Sequence, residues 1–445
     1  MLSETERRVF EYIESHRDDM IGFLRTLVAV DTQTPPGRNY DVICELLSDR
    51  FSGLGCETSV HEAPEEYMRL SGAEFLGLEG PRSNVVARYG GGGGPTLHIS
   101  AHVDCAAIQE EGWTLDPLGG EVTDGTPYEK SMWDRGGGYI WGRGVADDKG
   151  ELAAMTLALQ AIHGLGVKLE GDLILTGNCD EEIGGVAGLG YLIKEGVVEA
   201  DMGIQLDGGL SGIGLAAQGR TRFLLKTRGV SWHGQTPILG VNAIEKMSKL
   251  NVALNDYWRN FLLGRRVQVP GIDLGDALRE KGITSMTAML NIGTIKGGVQ
   301  GATVPDHCEE EVLRGMVPGE SYQAVHDEFK AVLDGVKATD ADLEYELGVV
   351  NYREGYVVPA DDPYALSCRD IIAEATGRTL PFTGTLASTD MNYQVVDGGM
   401  PCVSFGVGGA YSRGHKQDEN ASIDEIIQCS KAVALLFMRK LGVAS

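Results

Sequence analysis

The pattern of strands and helices read along the chain changes character at about residue 219 and changes back near 351. That interruption constrains the fold more than any single motif. Before it, residues 4–30 carry apolar positions at helical spacing. Segments 85–89, 96–100 and 172–177 are short apolar strands, and the Ala-rich segment 150–165 reads as a buried helix. Strands separated by helices predict an α/β sandwich around a largely parallel sheet. Within the interruption the expected order is strand 222–230, helix 241–261, strands 285–295 and 307–317, helix 321–337 and strand 343–350. That βαββαβ order is the ferredoxin-like unit. Two domains are therefore expected, one from 1–218 and 351–445 and the other inserted as 219–350. A chain of 445 residues is also longer than a single core usually supports.

Charge narrows the partners. A formal net charge of −26 excludes nucleic acid and anionic membrane surfaces, which would repel the chain. No apolar run is long enough for a membrane span. The opening MLSETERRVFEYIESHRDD is charged and amphipathic and lacks the apolar core of a signal peptide. Eight cysteines are scattered singly, without a CxxC pair, and read as reduced thiols of a cytoplasmic protein. The glycine run 90–94 reads as a flexible turn, because it lacks the strand–GxGxxG–helix setting of a nucleotide loop.

The residues able to carry chemistry fall at strand ends and in loops. In LHISAHVDCA, His102 and Asp104 stand two apart at the end of an apolar strand and share a face. An aspartate so placed suits the second imidazole nitrogen of a metal-binding histidine. GRGVADDKGE delivers Asp147 and Asp148 just before the Ala-rich helix, where one can cap the helix and the other face a cleft. NCDEEIGG packs three acids side by side, a repulsive arrangement unless a cation is present. Asp207 ends another apolar run, and His415 lies in the polar loop SRGHKQDEN. Singly, each is as readily a cap, a solvated loop or a structural histidine. As a set, imidazoles and carboxylates are the ligand chemistry of zinc, manganese or cobalt hydrolases.

These segments, together with RGVSWHGQTP (228–237), GVNAI (240–244), STDMN (388–392) and GHKQDE (414–419), resemble the M20 metallopeptidases in order and spacing. That family includes acetylornithine deacetylase, succinyl-diaminopimelate desuccinylase, carboxypeptidase G2 and the carnosinase-like dipeptidases. The resemblance implies a zinc-peptidase-like α/β/α catalytic domain with an inserted ferredoxin-like α+β lid and dimerisation domain. It implies one or two divalent ions per subunit, zinc first and manganese or cobalt as alternatives. His102, Asp147 and Asp207 would hold one ion, and Asp147, Glu182 and His415 the other, with Asp147 bridging. Asp104 would orient His102, and Glu181 would be the general base. His233 would reach the partner's active site in a homodimer and stabilise the oxyanion. Arg314, Thr385 and Ser388 would bind substrate.

The implied reaction is hydrolysis of an amide C–N bond in a small carboxylate-bearing substrate, such as an N-acyl amino acid or a dipeptide. The alternative is a non-peptide C–N bond, in an aromatic amine or carbamoyl compound of a catabolic pathway. A metal carrier without catalysis has no need of Glu181. The chain departs from the family at substrate-facing positions. Cys105, Ala106 and Ala107 follow Asp104, Ala302 and Thr303 stand before Val304 and Pro305, Trp232 precedes His233, and extra residues fill 126–139.

Overall fold

The computed structural model describes residues 1–90 and 93–444. Of the glycine run 90–94, residues 91 and 92 lie outside the described residues. The larger sheet runs in the order Glu57–Glu62, Ser83–Tyr89, Asp172–Asn178, Thr96–His102, Met202–Leu206, Cys402–Phe405, Ile213–Ala217, Tyr356–Val357, with Phe382–Thr385 also on Ile213–Ala217. Its four central strands, from Asp172–Asn178 to Cys402–Phe405, are mutually parallel. The edges turn antiparallel, at Glu57–Glu62 and Ser83–Tyr89 on one side and Tyr356–Val357 on the other.

Both faces of the central strands are buried, and side-chain alternation separates them. Leu173 and Leu175 point into a core built with the helices Lys149–Gly164 and Ile423–Leu441. Ile174 points the other way, against Leu189 and Leu192 of the helix Leu189–Lys194 and Tyr393. Helices thus cover the sheet on both sides. Ile423–Leu441 is buried along almost its whole length, and its charged side chains are paired, Asp424 with Arg17, Lys431 with Glu14 and Arg439 with Glu6. Ser422 accepts a hydrogen bond from the Glu425 amide and sets the start of this helix.

The segment after Ala217 builds a separate four-stranded antiparallel sheet, ordered Met289–Gly297, His307–Met316, Gly219–Arg228, Glu344–Arg353. The helices Ala243–Asn260 and Tyr322–Lys337 complete the βαββαβ order. Asn242 caps the first of these by accepting from the amides of Ile244 and Glu245. The helices close over a second core, in which Phe223 and Phe329 stack at 4.2 Å between ring centroids. Such a pair adds about 0.5–1.5 kcal/mol beyond its buried area. The last strand runs three residues past the expected end at 350, and that extension brings Asn351 and Arg353 to the carbonyls of Ile183 and Gly184, in the turn that follows the strand Asp172–Asn178.

Candidate metal centre

The four parallel strands end together, and each delivers a polar side chain at its carboxyl end, where open α/β sheets form sites. Thr96–His102 ends on His102, and Met202–Leu206 is followed directly by Asp207. Asp172–Asn178 leads into the short turn Glu181–Ile183. Cys402–Phe405 leads into the loop that holds His415. Asp147 comes from the turn before the helix Lys149–Gly164.

Asp147 sits between two imidazoles. His102 Nε2 lies 3.1 Å from Oδ1 of Asp147, and His415 Nε2 lies 3.0 Å from Oδ2. His415 Nε2 is also 3.1 Å from Oε2 of Glu182. The ligand atoms of Asp147, Glu182 and His415 all fall within 4.8 Å of one another, as a metal ion requires. The other Glu182 oxygen, Oε1, is buried without a hydrogen-bond partner. An orphaned carboxylate oxygen beside imidazole and carboxylate donors fits a divalent cation.

The acids are held under electrostatic stress. Burial and the nearby Asp147 push Glu182 up to about 7. Burial, then Glu181 and Asp147, push Asp207 up to about 7 as well. Burial works in the same direction on Asp147, but hydrogen bonds from His102 and His415 outweigh it and hold that carboxyl well below the usual range. His415 is pushed up to about 11 by its hydrogen bonds to Asp147 and Glu182. Acids at such spacing require positive charge among them, from protonated imidazole or from metal.

Asp104 differs from expectation in how it reaches its neighbours. His102 Nδ1 donates to the main-chain carbonyl of Asp104 at 2.9 Å, while the carboxylate stands off at 3.4 Å. The carboxylate instead accepts from the amides of Glu181 at 3.1 Å and Glu182 at 3.2 Å. One residue therefore fixes both the tautomer of His102 and the turn that presents Glu181 and Glu182. Asp148 makes no helix-capping side-chain bond, and it accepts from the His102 amide at 2.8 Å. Asp180, the third acid of the run, is turned away and paired with buried Arg82 at 2.8 Å.

Two arginines and an aspartate were not singled out from sequence for what they do here. Arg353 lies 3.0 Å from Oε1 of Glu181 and donates to the carbonyls of Glu181 and Gly184. It also faces buried Asp390 at 3.6 Å. Arg220 lines the same cavity as the acids. Asp390 carried a signal in the STDMN segment. Arg353 and Arg220 had only their places at the two ends of the inserted pattern.

A cavity of about 490 Å³ opens over this cluster, lined by Asp147, Glu181, Glu182, Asp207 and His415 and by residues of the smaller sheet. That volume suits a small molecule. Ser388 lines it with a hydroxyl that is buried and unpartnered. Thr385 lines an adjoining hollow of about 320 Å³ that shares Asp207. Arg314 is not brought to the cavity. It alternates onto the helix-covered face of its strand, is fully buried, and pairs with Glu320 at 2.7 Å. His233 is exposed and does not line the cavity of its own chain.

The loop carrying His415 is braced by the extra residues 126–139. Arg413, His415 and Asp418 all have left-handed backbones, with φ of 62°, 62° and 59°. Such conformations persist in non-glycine residues where surroundings enforce them. The Tyr128 hydroxyl donates to Asp418 at 2.6 Å, Thr114 adds two bonds to the same carboxylate, and the Arg413 guanidinium lies 4.2 Å over the Tyr128 ring.

Comparison with known proteins shows the family. The model of peptidase family M20/M25/M40 matches residues 98–439. The chain is 26% identical to the N-formyl-4-amino-5-aminomethyl-2-methylpyrimidine deformylase of Bacillus subtilis, over 95% of this chain and 94% of that one. It is 25% identical to the Probable succinyl-diaminopimelate desuccinylase of Staphylococcus epidermidis, over 71% of this chain and 72% of that one. The M20 metallo-carboxypeptidase Sso-CP2 of Sulfolobus solfataricus superposes with a TM-score of 0.74 at 17% identity, covering 95% of this chain and 98% of that one.

Proposed function

The chain belongs to peptidase family M20/M25/M40, metallohydrolases acting on amide C–N bonds, and from that premise we propose that it hydrolyses the amide of a small N-acyl amino acid or dipeptide. The observation that carries the reading is the placement of Asp147 between His102 and His415, with Glu182 and the half-buried turn carboxylate of Glu181 on the same cavity. His102, Asp147 and Asp207 would hold one divalent ion and Asp147, Glu182 and His415 a second, zinc before manganese or cobalt. Bound there, the metal supplies the Lewis acidity that makes water nucleophilic at neutral pH.

The protein's own groups do the rest. Glu181 takes a proton from the attacking water and returns it to the leaving nitrogen, so that amide and water become carboxylic acid and amine. Arg353 holds Glu181 in place. Asp104 fixes the turn on which Glu181 stands. Ser388 offers a free hydroxyl to the substrate. His233, on the exposed surface beside Trp232, would stabilise the oxyanion in the partner of a homodimer. The inserted segment 219–350 would then serve as lid and dimerisation domain. Among the described residues no helix is long and apolar enough to cross a membrane. All eight cysteines are free and buried, which supports a cytoplasmic enzyme.

A second reading keeps the reaction and changes the amine. The near full-length match to a deformylase of an N-formyl pyrimidine favours an N-acylated aromatic or heteroaromatic amine. Turnover of a panel of N-acyl amino acids and N-formyl arylamines separates the two. Glu181→Gln at matched metal content should lose about 10²–10⁴-fold in kcat on whichever class is turned over. Equal rates in the two proteins would overturn the role given to Glu181.

A further inference from the structure

Two central strands of the larger sheet carry a polar stripe along one face. In Thr96–His102 every second side chain is polar, and in Asp172–Asn178 the residues Thr176 and Asn178 follow Ile174 on the same face. The register sets Ser100 beside Thr176 and His102 beside Asn178. Strands covered on both sides are ordinarily apolar runs. His98, Ser100, Thr176 and Asn178 are fully buried, and burying such groups is costly unless each is hydrogen-bonded. All four are bonded, and in series.

The carboxylate at one end dictates the direction of every bond. Asn178 Nδ2 donates to Oδ2 of Asp390. Its Oδ1 therefore faces the other way and accepts from the Ser100 hydroxyl at 2.6 Å. The Ser100 oxygen accepts from Thr176 at 3.1 Å. Having given its one hydrogen, Thr176 accepts from His98 Nε2 at 3.0 Å. His98 Nδ1 is then bare and accepts from Gln394 Nε2 at 3.0 Å, while Gln394 Oε1 accepts from the Cys402 thiol at 3.2 Å. Burial pulls the His98 pKa down to about 3, which keeps its ring neutral. The chain thus runs from Cys402 to Asp390 with every donor aimed toward the carboxylate.

None of these side chains lines the metal-site cavity. The link to the cavity is Arg353, whose Nη2 lies 3.6 Å from Oδ1 of Asp390 and whose Nη1 holds Glu181. Burial pushes the Asp390 carboxyl up, and Arg353 pulls it back. Donors aligned in series polarise one another, so the chain adds to that pull.

Resting on the amide-hydrolase reading, we propose that this buried chain is the positioning device of the base: it fixes the Asp390 carboxylate against Arg353, and Arg353 in turn sets the place of Glu181. Asn178 is the positioning residue on which it depends, because its side chain alone joins the stripe to Asp390.

The test reads the chain in two ways. In zinc-loaded protein carrying isotope-labelled histidine, the ring nitrogen resonances of His98 are identified by their loss in His98→Gln. They should show a protonated Nε2 and a bare Nδ1 at neutral pH. On the N-acyl probe that the enzyme turns over best, Asn178→Ala should lower kcat by about 10–100-fold, with KM and zinc content within about twofold of the wild type. In a Glu181→Gln background the same substitution should cost less than about twofold more, since it acts through that carboxylate. Leu175→Ala, on the opposite face of the same strand, is the control for a weakened fold and should keep kcat within about twofold. A His98 protonated on Nδ1, an unchanged kcat in Asn178→Ala, an equal loss in Leu175→Ala, or full additivity with Glu181→Gln would overturn the proposal. The expected tautomer in a protein that hydrolyses no probe would leave the chain standing and sink the hydrolase reading. The other tautomer in an active enzyme would sink the chain alone.

Discussion

Arg353 grips Glu181 from the last position of a strand in the smaller sheet, with its Nη1 at 3.0 Å from Oε1 and its Nη2 donating to the carbonyl of the same residue. The proposed base is thereby held from two sides, by Arg353 at the end of the smaller sheet and by Asp104 beside a strand of the larger one. Removing the guanidinium would leave Glu181 and buried Asp390 without their cation. Arg353→Ala should cost about 3–5 kcal/mol of stability, read by urea unfolding. It should also lower kcat by about 10²-fold at matched metal content. Arg353→Lys keeps the charge and loses the carbonyl contacts, so it should retain most of the stability and still lose about tenfold in kcat. Full activity in Arg353→Ala would contradict this positioning role.

Tyr128 gives the extra residues 126–139 a task. Its hydroxyl and ring brace the loop that holds His415 in a left-handed conformation. Tyr128→Phe removes only the bond to Asp418. Affinity for the ion bound by Asp147, Glu182 and His415 should fall by about tenfold, as it does when the support of a ligand is lost. Competition with a chromophoric zinc chelator measures it. An unchanged affinity would show that the loop holds its shape without this bond.

How much of this was legible in the sequence depends on the range of the interaction. The α/β alternation and the embedded βαββαβ order are local periodicities, and the strands and helices fall within a few residues of where apolar spacing puts them. The cluster around Asp147 was legible as a candidate because its residues stand at strand ends and in loops, while the role of each came from the resemblance to the M20 metallopeptidases and not from any local pattern. Asp104 was half legible. Its proximity to His102 is local, but its hold on the amides of Glu181 and Glu182 crosses more than seventy residues. Arg314 and Arg220 show the sharper limit. They sit on adjacent strands, and a one-residue difference in phase decides which faces the cavity and which is buried against helices. No local pattern showed that Glu320 would claim Arg314.

Glu310 is a buried acid outside the metal centre. It is 1% exposed, accepts from Asn251 at 2.8 Å, and leaves Oε1 unpartnered. Burial pushes it up to about 7 from an ordinary value of 4.5, against the pull of Asn251. The folded state therefore binds this proton more tightly than the unfolded state. Its contribution to stability is fully present below about pH 4.5 and is lost as pH rises through about 7. Glu310→Gln should gain about 1–3 kcal/mol over the wild type at pH 8 and nothing at pH 4. Chemical unfolding of both proteins across that range measures the difference, and a gap independent of pH would contradict the assignment.

His233 is exposed among Trp232, Ile238 and Leu239, which are themselves exposed. If it acts on a partner's substrate, mixing His233→Ala protein with Asp147→Ala protein should restore activity. One of the two sites in each heterodimer would then combine an intact metal centre with an intact histidine. Restored activity should scale with the heterodimer fraction measured by native mass spectrometry. Heterodimers without activity would place the oxyanion donor elsewhere.

The central claim is that the acids and histidines around Asp147 hold a metal on which amide hydrolysis depends. The direct measurement is amidase activity on the N-acyl panel after exhaustive chelation, followed by titration with zinc and metal analysis of the product. The account predicts that activity disappears with the metal, returns on titration and saturates at one or two ions per chain. It also predicts that Asp147→Ala neither binds zinc at that level nor recovers. Chelated protein that keeps its full rate, or Asp147→Ala that hydrolyses as the wild type does, would contradict it.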